Sequence, residues 1–279
     1  MCAFLVLLLL VLPATAQPQF TWTTNSDGAS VTITGYTGPG GAVIIPNSIN
    51  NLLVTVIGES AFEPGSPELG TNITSVTIPP SVSSIEDFAF EVCESLTTLA
   101  IPASVTNIGQ AAFNLCGSLT NVFFNGNGPS MQFAAFGECQ KLSGAYFYGN
   151  APDVVSVLDA FYLRSLATDA TLYYLPGTFG WDFGEALTER GYAAPALWTL
   201  PYPVILNNSV GLGSNGLGFT VSWATNAGVV VEVCTNLVNP VWQALQTNTL
   251  TARTNGGFFN FSEPQWSNYP ARFYRVQPQ

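Results

Sequence analysis

Histidine is absent from all 279 residues. That omission removes Ser-His-Asp and Cys-His catalysis and every histidine-ligated zinc site. Charge is scarce as well, at 8% of residues against 47% apolar. Lysine occurs once, as Lys141, so a Ser-Lys pair has a single possible base and no motif around it. Bases are fewest where a phosphate ligand would need them: residues 17–199 carry 15 acids and 3 bases, and 200–279 carry 2 acids and 3 arginines. An acidic body within a net charge of −11 repels a nucleic-acid backbone, so nucleic acid is excluded as a partner. No run is long and apolar enough to span a bilayer. Ala3–Leu12 comes nearest, a ten-residue run followed by Pro13 and the small-residue site Ala14-Thr15-Ala16. Although no basic residue precedes it, this stretch reads as an export signal over 1–16. The mature chain is expected to be secreted or at the cell surface, without a transmembrane segment, and to keep four cysteines once Cys2 is removed.

What fills the polar places is glycine, proline, threonine and asparagine, which favour strands and turns over helices. From Ile73 to Tyr148 one apolar frame returns at a spacing of 23 residues. Ile73-Thr-Ser-Val76-Thr-Ile78, Leu96-Thr-Thr-Leu99-Ala-Ile101, Leu119-Thr-Asn-Val122-Phe-Phe124 and Leu142-Ser-Gly-Ala145-Tyr-Phe147 share its pattern. Ala89-Phe90, Ala112-Phe113 and Ala135-Phe136 keep the same step, as do Ile85, Ile108 and Met131, and Cys93, Cys116 and Cys139. Such self-similarity is the mark of a leucine-rich solenoid. Within each repeat the large residues, Ile78, Ile101, Phe124 and Phe147 among them, point inward with Phe90, Phe113 and Phe136, and the residue between the last two points out. Pro79 and Pro102 then end the strand, because proline cannot donate a ladder hydrogen bond. A single coil cannot offset its own chain entropy, so the stack has to fold cooperatively.

The run Ile-Pro-x-Ser-Val-x-x-Ile, then Ala-Phe, Cys and Ser-Leu-Thr, present at Ile78 to Thr97 and Ile101 to Thr120, resembles the BspA-type leucine-rich repeat of bacterial secreted and surface proteins. The resemblance covers residues 42–198 and implies binding or adhesion outside the cell, with no catalytic activity and no cofactor. Ahead of it, residues 17–41 are expected to form a cap of one or two strands with a tight turn at Asp27-Gly28. An irregular first repeat follows, stretched by Glu63-Pro64-Gly65-Ser66-Pro67. After a proline-rich linker at 199–204, residues 205–279 read as six or seven short strands and resemble a fibronectin type III-like module. The predicted fold is mostly β, a solenoid of about five coils followed by a small β-sandwich.

Two motif matches fail on context. Gly211-Leu-Gly213-Ser-Asn-Gly216 fits a dinucleotide pattern, yet Phe219 to Trp223 reads as a strand where a helix N-terminus is needed. Leu175-Pro-Gly-Thr-Phe179 lacks the final glycine and apolar tail of a wall-sorting signal. A carboxylate pair for glycoside hydrolysis is not positioned by any pattern. The cysteine column leaves two readings open, a ladder of buried thiols or one disulfide from Cys116 to a neighbour, and no metal site, since a column is not tetrahedral. The acids Glu59, Glu63, Glu68, Glu86, Asp87, Glu91 and Glu94 read as a solvated, repulsive edge.

The outward position of the strand frame is Ile44, Thr77, Ala100, Phe123, Tyr146 and Tyr173. These six are expected on one face, with Phe123, Tyr146 and Tyr173 as an aromatic ridge suited to a protein or polysaccharide partner. The competing expectation is that the ridge packs against the linker or the sandwich. Two functions follow: extracellular recognition through the strand face, or a structural spacer attached to the envelope by the C-terminal module.

Overall fold

The structure is a computed structural model that describes residues 19–63, 72–153, 155, 157, 160–161, 170–188, 194–198, 200, 202–206, 209–214, 216–223, 227–250 and 257–279. The export signal, the insertion from Pro64 to Pro67, Glu68 of the acidic edge and Thr199 of the linker lie outside these residues.

Two strand ladders form the solenoid, one on each side of a single apolar core. On one side Gly41–Ile44 pairs parallel with Ile73–Thr77, and Thr98–Ile101, Asn121–Phe124, Gly144–Phe147, Thr171–Tyr174 and Ala196–Leu197 continue as a parallel sheet. The amide of Thr97 donates to the Thr74 carbonyl at 3.3 Å and links the two sets. On the other side Leu52–Ile57, Ser84–Ile85, Asn107–Ile108 and Ser130–Met131 stack in parallel. The first ladder has six full rungs, centred on Val43, Val76, Leu99, Val122, Ala145 and Leu172, and the short strand Ala196–Leu197 beyond them. The last rung arrives after 27 residues rather than 23 and lacks the serine-valine landmark, and it is the one the sequence frame marks by Tyr173.

The inward positions build one continuous core. Leu96, Leu99, Leu119, Val122 and Phe147 are wholly buried, and Ile78, Ile101 and Phe124 nearly so. Phe62, Phe90, Phe113, Phe136 and Phe161 stack face to face at centroid spacings of 4.5, 5.1, 5.2 and 5.3 Å. Their spacing is the rung repeat itself, so each ring fixes the register of the next.

Backbone hydrogen bonds lock neighbouring coils from both directions. In the turn carrying the Ala-Phe pair the amides of Phe88, Phe90 and Val92 reach forward to the carbonyls of Gln110, Ala112 and Asn114. Elsewhere in the coil Thr97, Thr106 and Gly109 reach back to Thr74, Ser83 and Ile85. The turn buys its forward-pointing amides with left-handed backbone at Phe88, Ala111 and Ala134 and again at Val92, Leu115 and Glu138. A β-branched residue such as Val92, at φ 61°, adopts this region only when neighbours over-determine it. Hydroxyl columns finish the corners: Thr97, Thr120 and Ser143 each donate to the carbonyl one coil earlier, at 3.4, 3.0 and 3.1 Å.

The N-terminal cap is a hairpin, Phe20–Thr24 against Ser30–Tyr36, whose second strand pairs parallel with Leu52–Ile57. Its turn is held by the Asp27 carboxylate, which accepts from the amides of Ala29 and Ser30 at 2.9 and 3.0 Å, while Gly28 supplies φ 66°. Phe20 and Tyr36 cover the open end of the phenylalanine stack. At the other end Trp181 closes the core against Phe147 and Tyr174.

Among the described residues the C-terminal module has seven strands in two antiparallel sheets. Val204–Ile205, Gly211–Gly213, Gly216–Ser222 and Phe258–Glu263 form one, and Ala227–Cys234, Gln243–Leu250 and Phe273–Pro278 the other. Phe219, Val221, Trp223 and Phe261 of the first sheet share a core with Val229, Val231 and Leu250. That core also takes in Leu175, Leu200 and Leu206, with Tyr148 and Trp198 packed on it, so the end of the solenoid and the sandwich share one apolar cluster. The Trp223 indole N–H donates to the Leu200 carbonyl at 2.8 Å. Gly177, at φ 86°, leaves no room for a side chain, since a Cβ there would sit 2.9 Å from the Phe258 ring.

Candidate functional site

Parallel pairing in register places the outward residues side by side. Ile44 lies opposite Thr77, Ala100 opposite Phe123, Phe123 opposite Tyr146, and Tyr146 opposite Tyr173. The face divides in two. Its N-terminal half is small and open: Ile44 is 71% exposed, and Thr77 and Ala100 are exposed. Its C-terminal half is aromatic and half-buried, with Phe123–Tyr146 and Tyr146–Tyr173 stacked at 4.9 and 4.8 Å.

Trp198, from the segment entering the sandwich, lies on this ridge. Its ring is 4.9 Å from Tyr146, 6.1 Å from Phe123 and 4.8 Å from Tyr148. The ridge is thus partly covered by Trp198, the last residue of the solenoid span, which the sequence did not single out. Burial, then the neighbouring Tyr173 phenol, raises the Tyr146 pKa; burial, then Tyr202, raises that of Tyr148. Sequence reasoning missed Tyr148 and Trp198. Tyr148 was within reach, standing two residues past Tyr146 on the same face, but no periodic signal marks Trp198.

The ring planes decide what the ridge offers. Phe123 and Tyr146 are 15° from parallel, and Tyr146 and Tyr173 are 9°. Faces are therefore turned to one another along the stack, and the surface consists of ring edges and phenol oxygens. Edges carry the positive end of the ring quadrupole and suit carbonyl oxygens and aliphatic groups.

The remaining candidates resolve as structural parts. Cys93, Cys116, Cys139 and Cys234 are all buried free thiols. In the column each S–H donates to the phenylalanine carbonyl of the preceding coil: Cys93 to Phe62 at 3.7 Å, Cys116 to Phe90 at 3.4 Å and Cys139 to Phe113 at 3.1 Å. Burial pushes the Cys93 thiol up to about 12. The acidic edge is less purely repulsive than its sequence suggests. Asp87 accepts the Gln110 amide at 2.8 Å, Glu86 the Glu59 amide at 3.2 Å and Glu91 the Asn114 side-chain amide at 2.8 Å, so three acids tie coil to coil. Among the described residues no group of three or more Cys, Asp or Glu is placed to hold a metal ion. Gly211–Gly213 and Gly216–Ser222 form an antiparallel pair of strands, which leaves no helix N-terminus for a dinucleotide. No helix among the described residues is long and apolar enough to cross a membrane. In the sandwich Glu263, 9% exposed, accepts from Arg272 and from the Tyr274 hydroxyl at 2.5 Å.

A stack of parallel rungs with one phenylalanine turn per coil, joined to a β-sandwich, defines a β-solenoid protein with an accessory module. Residues 43–156 match the family model of the BspA type leucine rich repeat region, in six copies. Among solved structures the chain is similar to a leucine rich repeat protein of T. pallidum, TpLRR, at 22% identity and TM-score 0.38, over 56% of this chain and 83% of that one. It is similar also to a leucine rich cell surface protein from Faecalibacterium prausnitzii A2-165, at 23% identity and TM-score 0.38, over 57% of this chain and 44% of that one. A leucine-rich repeat protein from Bacteroides ovatus gives 20% identity and TM-score 0.38, over 58% and 49%. The chain thus spans less than half the length of the last two. No curated protein matches it.

Proposed function

We propose that the chain is a non-catalytic recognition protein acting outside the cell, which binds a protein partner through the strand face of the solenoid. The observation that carries this reading is a face made of two in-register sets, Ile44 with Thr77 and Ala100 with Phe123, Tyr146 and Tyr173, open at one end and aromatic at the other. A flat parallel sheet with small exposed residues beside an aromatic ridge is the surface a solenoid has for a large partner. Phe123, Tyr146 and Tyr173 form the proposed anchor. A protein is favoured over a polysaccharide because sugars stack on ring faces, and four of the six faces of these three rings are turned to one another. The BspA type repeat match agrees with an adhesive role.

A structural reading competes. Leu175, Leu200 and Leu206 build a common core across the junction, which suits a stiff spacer between an envelope and a distant target. The two readings separate in one experiment. The mature chain is screened on arrays of extracellular proteins and of glycans, beside variants Thr77→Arg, Ala100→Arg and Tyr146→Ser. Capture of a protein that all three variants lose, with melting temperatures of the first two unchanged, supports recognition through this face. Capture that survives all three substitutions removes the face from the function, and glycan capture alone overturns the protein assignment.

A further inference from the structure

The two ladders of the solenoid do not end level. Ahead of Leu52–Ile57 the cap hairpin adds two further strands, Ser30–Tyr36 and Phe20–Thr24. On the strand face no strand among the described residues precedes Gly41–Ile44, which pairs with Ile73–Thr77 alone. At about 4.8 Å per strand the hairpin stands roughly 10 Å beyond this edge, a step beside a bare strand.

The direction of the bare groups follows from the bonds on the covered side. The amides of Gly41 and Ile45 donate to the carbonyls of Asn72 and Thr77, at 2.7 and 3.0 Å. Backbone groups alternate along a strand, so Gly41, Val43 and Ile45 turn theirs to the next coil and Ala42 and Ile44 turn theirs to the edge. Ala42 and Ile44 are both exposed, and a Cβ on Gly41 would meet no atom within 4 Å. A row of unmet N–H and C=O groups templates another strand, which is why edges are ordinarily blunted by charge, by an internal proline or by a cover. Here residues 28–58 carry no charged side chain, Pro39 and Pro46 bracket the strand without entering it, and the hairpin covers only the other ladder.

We infer that Gly41–Ile44 is a strand-addition edge: an extended, uncharged segment of the partner pairs with the N–H and C=O groups of Ala42 and Ile44 and lengthens the strand face by one rung. This rests on the reading of that face as a protein-binding surface and names the form of the segment that enters it. The occupant is a single extended segment, because the hairpin step admits one strand and obstructs a second folded copy at strand distance. Its backbone supplies the pairing, and the exposed Ile44 offers an apolar neighbour to one of its side chains.

The test uses the full mature chain and a blocked peptide with the sequence of residues 73–78, the rung this strand already accepts on its other side. Amide hydrogen exchange is followed by NMR. In the free chain Ala42 and Ile44 are expected to exchange rapidly and Val43 and Ile45 slowly, and the peptide is expected to slow the first two by about ten-fold or more. Ala42→Pro and Ile44→Pro each remove one outward donor and spare the bonds to Asn72 and Thr77, so each should weaken the peptide about ten-fold with melting temperature unchanged. Ile44→Ser keeps the donor and should cost about three-fold or less. Ala42 and Ile44 amides already protected in the free chain, no protection by the peptide, or equal binding of a fully N-methylated peptide overturns the edge; should a proline variant unfold, these exchange results decide alone. The face is read separately: capture of a protein partner that Thr77→Arg and Ala100→Arg abolish but both proline variants retain sinks the edge and spares the face. Peptide protection of Ala42 and Ile44 beside capture that ignores the arginine variants does the reverse.

Discussion

Each thiol of the cysteine column bonds the phenylalanine carbonyl of the coil before it. Its sulfur fills a small inward space and its S–H caps a carbonyl that parallel stacking leaves with acceptor capacity to spare. Periodicity predicts the column, but only tertiary packing decides between a thiol ladder and a disulfide, since both satisfy the same spacing. The thiols are expected to resist a thiol-specific reagent in the native chain and to react when it unfolds. Protonation of Cys93 also sets a pH dependence. Folding holds the Cys93 pKa at about 12 against an ordinary 9.0, and Tyr274 at about 12 against 10.0, through burial and then Glu263. Groups whose pKa is raised on folding favour the native state fully below the unfolded value and lose that contribution as pH climbs. The melting temperature should therefore hold steady to pH 8 to 9 and fall toward pH 12. Cys93→Ala should make the fall shallower; an identical curve would show that the thiol is not held protonated by the fold.

The single coil is the element that repeats, and its turn is where local preference and global structure disagree. Nothing local favours left-handed backbone at Phe88, Val92 or Leu115. The cost is met by the amides of Phe88, Phe90 and Val92, which the next coil receives, and by the phenylalanine that the turn delivers into the stack. This is why the Ala-Phe landmark was readable from sequence while the conformation around it was not: burial leaves a mark on residue type, whereas stacking-enforced strain does not. Phe113 sits in the middle of the stack, wholly buried between Phe90 and Phe136. Phe113→Ala should cost about 3 to 5 kcal/mol, the range for truncating a large core aromatic. Chemical denaturation checks this, and a loss below about 1 kcal/mol would mean the stack relaxes around the gap.

At the scale of the whole molecule the junction matters most. Because Leu175, Leu200 and Leu206 lie in one core with the sandwich, the solenoid end and the module are expected to unfold together. The Trp223 indole bond to the buried Leu200 carbonyl is a polar tie across that junction. Trp223→Phe leaves the carbonyl without this donor and, the phenyl being smaller than the indole, opens a cavity beside it, a loss of about 1 to 3 kcal/mol from the bond with a cavity cost added. Calorimetry should show one transition for the native chain and two for the variant. Two transitions in both would mean that the shared core does not couple the parts.

A spacing of 23 residues and an alternating apolar frame were enough to specify the solenoid, its inward residues and the row of outward ones, because each coil must bury the same positions against its neighbours. The strand alternation after Val204 specified the sandwich for the same reason. What the sequence left open were matters between elements far apart in the chain: whether the aromatic ridge meets Trp198, which way its ring faces turn, whether the thiols pair, and that the cap hairpin covers only one of the two ladders. Those contacts depend on where one coil or module comes to rest against another, and no local pattern encodes a distance between segments until the stack brings them together.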